Sequence, residues 1–188
     1  MTSPSTPSGD AAQEEPFITG PHPVFEPHPE MAQALGSLWT AVVRAGGAVG
    51  FPADAAEEDI RAAAEQAVAD VTARRRQMLI LGDGAALAGT VFLRRGTEPV
   101  LAHRAEVVKL MVRPDLQGKG WGTTLLDAAV AQATAQGLEQ LLISTRGGTG
   151  LPAFYAARGW TEVGRFPGGL RLSADDVRDE HWFQLRLS

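Results

Sequence analysis

Cysteine is absent from the chain, which excludes a disulfide framework, a thiolate zinc site and a cysteine nucleophile. Long apolar runs are missing as well. Nowhere do the eighteen or so consecutive apolar residues needed to cross a bilayer occur. Met1–Pro16 is rich in Ser, Thr and Pro but has neither a basic start nor an apolar stretch, so it does not read as a signal peptide. The expectation is a soluble, cytoplasmic protein that makes no use of a membrane. The four histidines, His22, His28, His103 and His181, lack the close helical spacing of a metal site, and no metal is expected. Positive charge is missing from the first thirty residues, which hold Asp10, Glu14, Glu15, Glu26 and Glu30; these account for the net charge of −5, and the rest of the chain balances. No whole-domain basic surface argues for nucleic acid. Lysine is reduced to Lys109 and Lys119, and tyrosine to Tyr155 alone.

What is present is enough apolar content, 44% of 188 residues, for one core of ordinary size. Residues 1–16 have the composition of a disordered tail, the Pro-rich stretch from Pro21 to Pro29 reads as an extended lead-in, and residues 17–188 form the expected single domain. Met31, Leu35, Leu38, Trp39 and Val42 recur at helical spacing before Gly46-Gly47. A second helix is expected with Asp54 as its N-cap, Glu57 three residues later, and Ile60, Ala64, Ala67, Val68 and Val71 on one face. Met78–Leu81 and Ala86–Leu93, separated by Gly82-Asp83-Gly84, predict a hairpin, and Ala105–Val112 a third strand. A Gly-rich loop then opens a helix lined by Leu125, Leu126, Ala129, Val130 and Ala133, with Gly137 placed for a left-handed C-terminal cap. A strand at Leu141–Ser144, a short helix around Leu151–Arg158 and strands near Thr161–Phe166 and His181–Leu187 complete the pattern. Strands in a meander, then strands separated by helices, imply a mixed α/β sheet.

The loop is the informative segment. Three glycines at 118, 120 and 122 run from an apolar strand and a Pro114-Asp115 turn straight into an amphipathic helix. Glycine lets a ligand approach the backbone closely, while the unpaired amides and dipole of a helix start favour an anion such as a pyrophosphate. Lys119 adds charge at the rim. The alternative is a sharp strand-to-helix turn with no ligand. A Walker loop is ruled out by the missing Gly-Lys-Ser/Thr ending, and two helices and a hairpin upstream do not suit an initial Rossmann unit.

Gln117-Gly118-Lys119-Gly120-Trp121-Gly122, preceded by Leu110-Met111-Val112-Arg113-Pro114, resembles the Gln/Arg-x-x-Gly-x-Gly/Ala signature of the GNAT acetyltransferase superfamily. Ala153-Phe154-Tyr155-Ala156-Ala157-Arg158-Gly159-Trp160 resembles its second signature, a helix ending in Phe/Leu-Tyr and a Gly-aromatic pair entering the next strand. The string Ala105–Val112 further resembles the tabtoxin-resistance type of small-molecule acetyltransferases. The resemblance implies a mostly antiparallel sheet splayed between its fourth and fifth strands and flanked by helices. It implies acetyl-CoA as cosubstrate, with the backbone of Leu110, Met111 and Val112 pairing with the pantetheine arm and Gln117, Gly118, Lys119, Gly120, Trp121, Gly122 and Thr123 around the pyrophosphate. The asparagine that the family often carries near the start of the helix after strand five is replaced by Gly148, and an acidic residue expected near the end of strand five by Ser144-Thr145.

Acetyl transfer needs a neutral amine, stabilisation of the developing oxyanion and a proton for the leaving thiolate. By the resemblance, Tyr155 is the general acid; the alternative is a ring packed beside Phe154. Glu106, the only carboxylate between Glu98 and Asp115, is the candidate base, directly or through water; equally open is a solvent-facing or ion-paired role with Arg104 or Lys109. Trp39, Phe51 and Trp182 are read as core rather than as an acceptor pocket. The expected reaction is direct attack of a primary amine, of a small molecule, on acetyl-CoA in a ternary complex. Protein Nα or lysine acetylation and a non-catalytic acyl-CoA sensor are the alternatives, and a homodimer is compatible with any of them.

Overall fold

A computed structural model describes residues 18–47, 49–82 and 86–188. The tail expected over 1–16 and the hairpin centre at Asp83-Gly84 lie outside the described residues. In chain order the elements are β1 (Thr19–Val24), α1 (Met31–Arg44), α2 (Glu57–Thr72), β2 (Arg76–Gly82), β3 (Leu87–Arg95), β4 (Arg104–Val112), α3 (Trp121–Ala135), β5 (Gln140–Arg146), α4 (Leu151–Ala156), β6 (Thr161–Arg171) and β7 (Val177–Arg186). One seven-stranded sheet runs β1-β2-β3-β4-β5-β7-β6. Every neighbouring pair is antiparallel except β4–β5.

The sheet separates two apolar clusters. Met78 and Phe92 point to one side, where they meet Leu35, Trp39 and Val43 of α1 and Ile60, Ala64 and Val71 of α2. Leu79, Val91, Leu93, Ala105 and Val107 point to the other and meet Leu125, Leu126, Ala129 and Ala133 of α3. Covered on both faces, β3 is buried continuously from Leu87 to Leu93, which is why it reads as a mostly apolar run rather than an alternating one; the buried Thr90 hydroxyl within it donates to the Leu79 carbonyl at 3.0 Å. Gly89 lets α3 lie close: a Cβ there would sit 2.8 Å from the Met111 carbonyl oxygen and 3.0 Å from Leu125 Cδ1.

Two sequence expectations need correction. Thr19–Val24 is not merely a lead-in but a strand paired with β2. It lies at the sheet edge, where Pro21 and Pro23 are tolerated because an outer strand need not donate on both sides. Asp54 does not cap α2. Residues 52–55 are used in a turn closed by the Ala55 N–H donating to the Pro52 carbonyl at 3.1 Å, and Ala56 occupies the N-cap without a side-chain bond. Glu57, Glu58 and Asp59 in the first turn complement the helix dipole instead. The last two strands are also longer than their apolar patterns indicate, because β6 is an exposed edge whose pairing with β7 is carried by the backbone.

The decisive irregularity is in β4. Its register against β3 slips between Thr90↔Met111 and Phe92↔Val108, and Lys109 takes a left-handed φ of 53°. This bulge resets the alternation: Val107 and Val112 face α3, while Val108 and Met111 face α1.

Candidate active site

β4 and β5 pair in parallel over only three positions, Arg104↔Gln140, Ala105↔Leu141 and Glu106↔Leu142. Beyond these the strands run on to Val112 and Arg146 without pairing to each other, so the sheet opens into a V at the level of the bulge. Strands that part in this way leave backbone donors and acceptors facing the gap, where an extended amide-bearing chain can take the place of a strand. Leu110, Met111 and Val112 lie on its β4 side. Met111 and Val112 are themselves buried, so their side chains are core and only their backbone is available to a ligand.

The glycine loop follows directly. A short 3₁₀ turn at Pro114–Leu116, closed by an Arg113–Asp115 ion pair at 2.8 Å, leads to Gln117, whose side-chain amide donates to the Val112 carbonyl at 3.0 Å and ties the loop to β4. Gly118 and Gly120 both have left-handed φ, 77° and 91°, and a Cβ on either would meet nothing within 4 Å. The space over these two residues is therefore open to a ligand. Gly120 caps α3 without a side-chain hydrogen bond, and the first turn holds no acidic residue, so the helix start keeps its positive end for an anion. Trp121 packs its ring on the α3-side core, which leaves its backbone as the part facing the loop.

Tyr155 lies on the same face of the sheet. Its ring is 4% exposed and is enclosed by Phe154, Trp160 and Phe183 at centroid distances of 5.2, 6.0 and 5.9 Å. Its hydroxyl makes no hydrogen bond to any described residue. Burial pushes its pKa up to about 12, partly offset by the Arg158 guanidinium, so the phenol stays protonated throughout the physiological range. Arg158 joins α4 to the loop: it donates to the Phe154 carbonyl at 2.9 Å and to Thr123 Oγ1 at 2.8 Å, and stacks 3.7 Å over the Phe154 ring.

Residues 47–160, more than half of the chain, match the acetyltransferase (GNAT) family. The chain belongs to that family. Solved structures agree in fold. An N-acetyltransferase from Staphylococcus aureus Mu50 is 13% identical with a TM-score of 0.72, covering 92% of this chain and 99% of its own. The Escherichia coli ribosomal-protein-S18-alanine N-acetyltransferase is 17% identical with a TM-score of 0.67, covering 92% and 95%. The Salmonella typhimurium protein yncA, determined with its cofactor acetyl-CoA, is 17% identical with a TM-score of 0.69, covering 90% and 95%. Acetyl-CoA-dependent acetyl transfer is the chemistry of the family, and the open glycine loop, uncapped helix start and parted strands of this chain fit that cosubstrate.

On the opposite face of this GNAT sheet, the α1 side, stands Glu106. It is bonded at 2.5 Å to Arg94, its cross-strand partner on β3, rather than to Arg104 or Lys109 as the sequence allows. Lys109, brought in by the bulge, donates to the Val49 carbonyl at 2.9 Å and lies 5.1 Å from the Trp39 ring centre. Burial, with Arg76 and Arg94 nearby, lowers its pKa, against a smaller raising effect of Glu106. Trp39 is core, donating to the Val49 carbonyl at 3.0 Å, and Phe51 packs edge-on to it at 5.6 Å; Trp182, expected as core, is half-buried and belongs to neither cluster. Gly148 has φ of 72° and lies against Arg178: a Cβ there would be 2.4 Å from Nη1.

Sequence reasoning missed Arg94, Arg158 and the position of Lys109. Arg158 sits inside the second signature, so its place was legible; the ring beneath it and the hydroxyl it reaches were not. No cluster of metal-ligating side chains exists among the described residues, and no helix of the described chain is long and apolar enough to cross a membrane.

Proposed function

We propose that the protein is an N-acetyltransferase that transfers the acetyl group of acetyl-CoA to a primary amine of a small molecule by direct attack in a ternary complex. The observation that carries this reading is the coincidence of three features in one continuous stretch: the three-pair limit of the β4–β5 contact, the bulge at Lys109, and the open left-handed glycines at the uncapped start of α3.

When bound, acetyl-CoA supplies the thioester carbonyl and the thiolate leaving group. The amides of Gly118 to Gly122 hold the pyrophosphate, with Lys119 adding charge; the Thr123 N–H already donates to the Gly120 carbonyl at 2.9 Å, so Thr123 borders the site without offering its amide. The β4 backbone at Leu110, Met111 and Val112 holds the pantetheine arm. Tyr155 keeps its proton until the sulfur leaves and then donates it; a phenol held neutral by burial suits that role. The new C–N bond forms as the C–S bond breaks, and the amine's surplus proton goes to Glu106 through water. The ion pair with Arg94 favours a second reading of Glu106, in which it fastens β4 to β3 and the amine arrives already neutral.

The test is a panel of amines incubated with acetyl-CoA, following thiol release and subtracting hydrolysis without amine. Amine-dependent release with formation of the N-acetyl product is expected. Tight CoA binding with no amine-dependent release from small molecules or peptides would identify a sensor instead.

A further inference from the structure

Three side-chain nitrogens are fully buried without a hydrogen-bond partner among the described residues: Arg158 Nε, Arg146 Nε and Trp182 Nε1. The first belongs to the loop side of the sheet. The other two share the opposite face. Along β5, Leu141 and Ile143 enter the α3-side cluster, so Leu142, Ser144 and Arg146 face the other way; along β7, Phe183 enters that cluster, so Glu180 and Trp182 face the other way. Trp182 is directly opposite Ser144, and Arg146 directly opposite Glu180, which makes Arg146 and Trp182 diagonal neighbours about 7 to 8 Å apart in backbone position. Glu106, in register with Leu142, stands on the same face.

An arginine and a tryptophan each carry donors only, and a buried donor left empty is unusual in a native fold. No hydrogen bond or ion pair joins the Arg146 side chain to a described residue. Glu180, though opposite, does not reach it, and Asp176, which feels its charge, is gripped by Arg178. Helices α1 and α2 pack on this face only over β2 to β4, so neither of them lies over β5 and β7.

Resting on the acetyl-transfer reading, we propose that the acceptor amine carries a carboxylate, received by the Nε edge of Arg146 and the indole N–H of Trp182. A guanidinium edge matches a planar carboxylate. One guanidinium edge and one neutral indole donor match the two oxygens of a single carboxylate. Were the β4–β5 register continued past its last pair, Arg146 would stand level with the bulge at Lys109 and Leu110. α-Amino acids, which carry an amine and a carboxylate on one carbon, are the simplest members of this substrate class.

The experiment compares the standard L-amino acids, each as free acid and as primary amide, in the thiol-release assay, and titrates the same compounds calorimetrically into the CoA-saturated protein. The amide has the less basic amine and so offers more neutral nucleophile, which means that a preference for the acid reports recognition of the carboxylate. For the amino acids that react, kcat/KM of the acid is expected to exceed that of the amide by about tenfold to a hundredfold, the range of a hydrogen bond to a charged group. Arg146→Gln is expected to bring that ratio close to one, Arg146→Lys to restore part of it, and Trp182→Phe to lower it less, with CoA affinity retained as proof of folding. Acids that bind the CoA complex through Arg146 without being acetylated would uphold the anion site and sink the transfer reading. Equal use of acid and amide, a ratio untouched by Arg146→Gln, stronger use of 1-aminoalkylphosphonates than of carboxylates, or neither turnover nor binding of any acid would each overturn the proposal.

Discussion

Tyr155 can be interrogated alone because it is the only tyrosine in the chain. Its tyrosinate absorbance is expected to appear near pH 12 in the folded protein and near 10 after denaturation. Because the folded pKa is the higher one, the associated stability is present in full below pH 10 and is lost as the pH rises towards 12, on the order of 2 to 3 kcal/mol. A folded-state transition near 10 would mean that the ring is not held as described. Tyr155→Phe keeps the packing but removes the proton, so turnover should fall about tenfold to a thousandfold, about 1.4 to 4 kcal/mol in barrier, with CoA affinity unchanged. Equal turnover with chemistry rate-limiting removes Tyr155 from the acid role. For Glu106 the two readings diverge in pH dependence. As a base, Glu106→Gln slows transfer and abolishes an ionisation in kcat/KM that persists across acceptors of different amine pKa; as a strut to Arg94, the variant keeps the profile and loses only stability. Tyr155 was legible in sequence because a signature fixes its neighbours. The partner of Glu106 was not, since Arg94 is adjacent only through the β3–β4 register.

Among the elements, the long helices and central strands were legible because periodicity and burial coincide: the residues that alternate or recur in sequence are those that enter the two clusters. Edges were less so. β1 and most of β6 are held by backbone pairing rather than by an apolar face, and such strands leave little trace in composition. The start of α3 gives the element-level test. Gly120→Val forces a branched side chain into a φ of 91° and fills the open space over the loop, so it should cost about 1 to 2 kcal/mol of stability from the backbone and also weaken CoA binding by at least about tenfold. Gly137, past the other end of α3, has φ of 71° and equally open surroundings, making Gly137→Val a control for strain. Calorimetry should find CoA affinity lost in the first variant and kept in the second. Equal affinity in both would place the pyrophosphate elsewhere.

At the scale of the molecule, the sheet isolates one core from the other, and this has a consequence for how ligand binding and stability combine. Leu35 is fully buried between α1 and the sheet, and Leu125 fully buried between α3 and the sheet. Truncating either to alanine should cost about 2 to 5 kcal/mol, the range for deleting a buried leucine. The two variants should differ in the presence of CoA. At a hundred times its Kd, a ligand that binds only the folded state adds about 2.7 kcal/mol. Leu35→Ala acts on the far side of the sheet from the loop, so its loss and the ligand's gain should simply add, as for distant sites. Leu125 belongs to the second turn of the helix whose start is the proposed anion site, and its Cδ1 rests where β3 carries Gly89 in place of a larger residue. Its truncation loosens the seat of α3, so at the same CoA concentration Leu125→Ala should recover less than the full increment. Urea denaturation of both variants with and without CoA measures this directly. If Leu35→Ala loses the ligand increment while Leu125→Ala keeps it, the cofactor is seated by α1 rather than by α3.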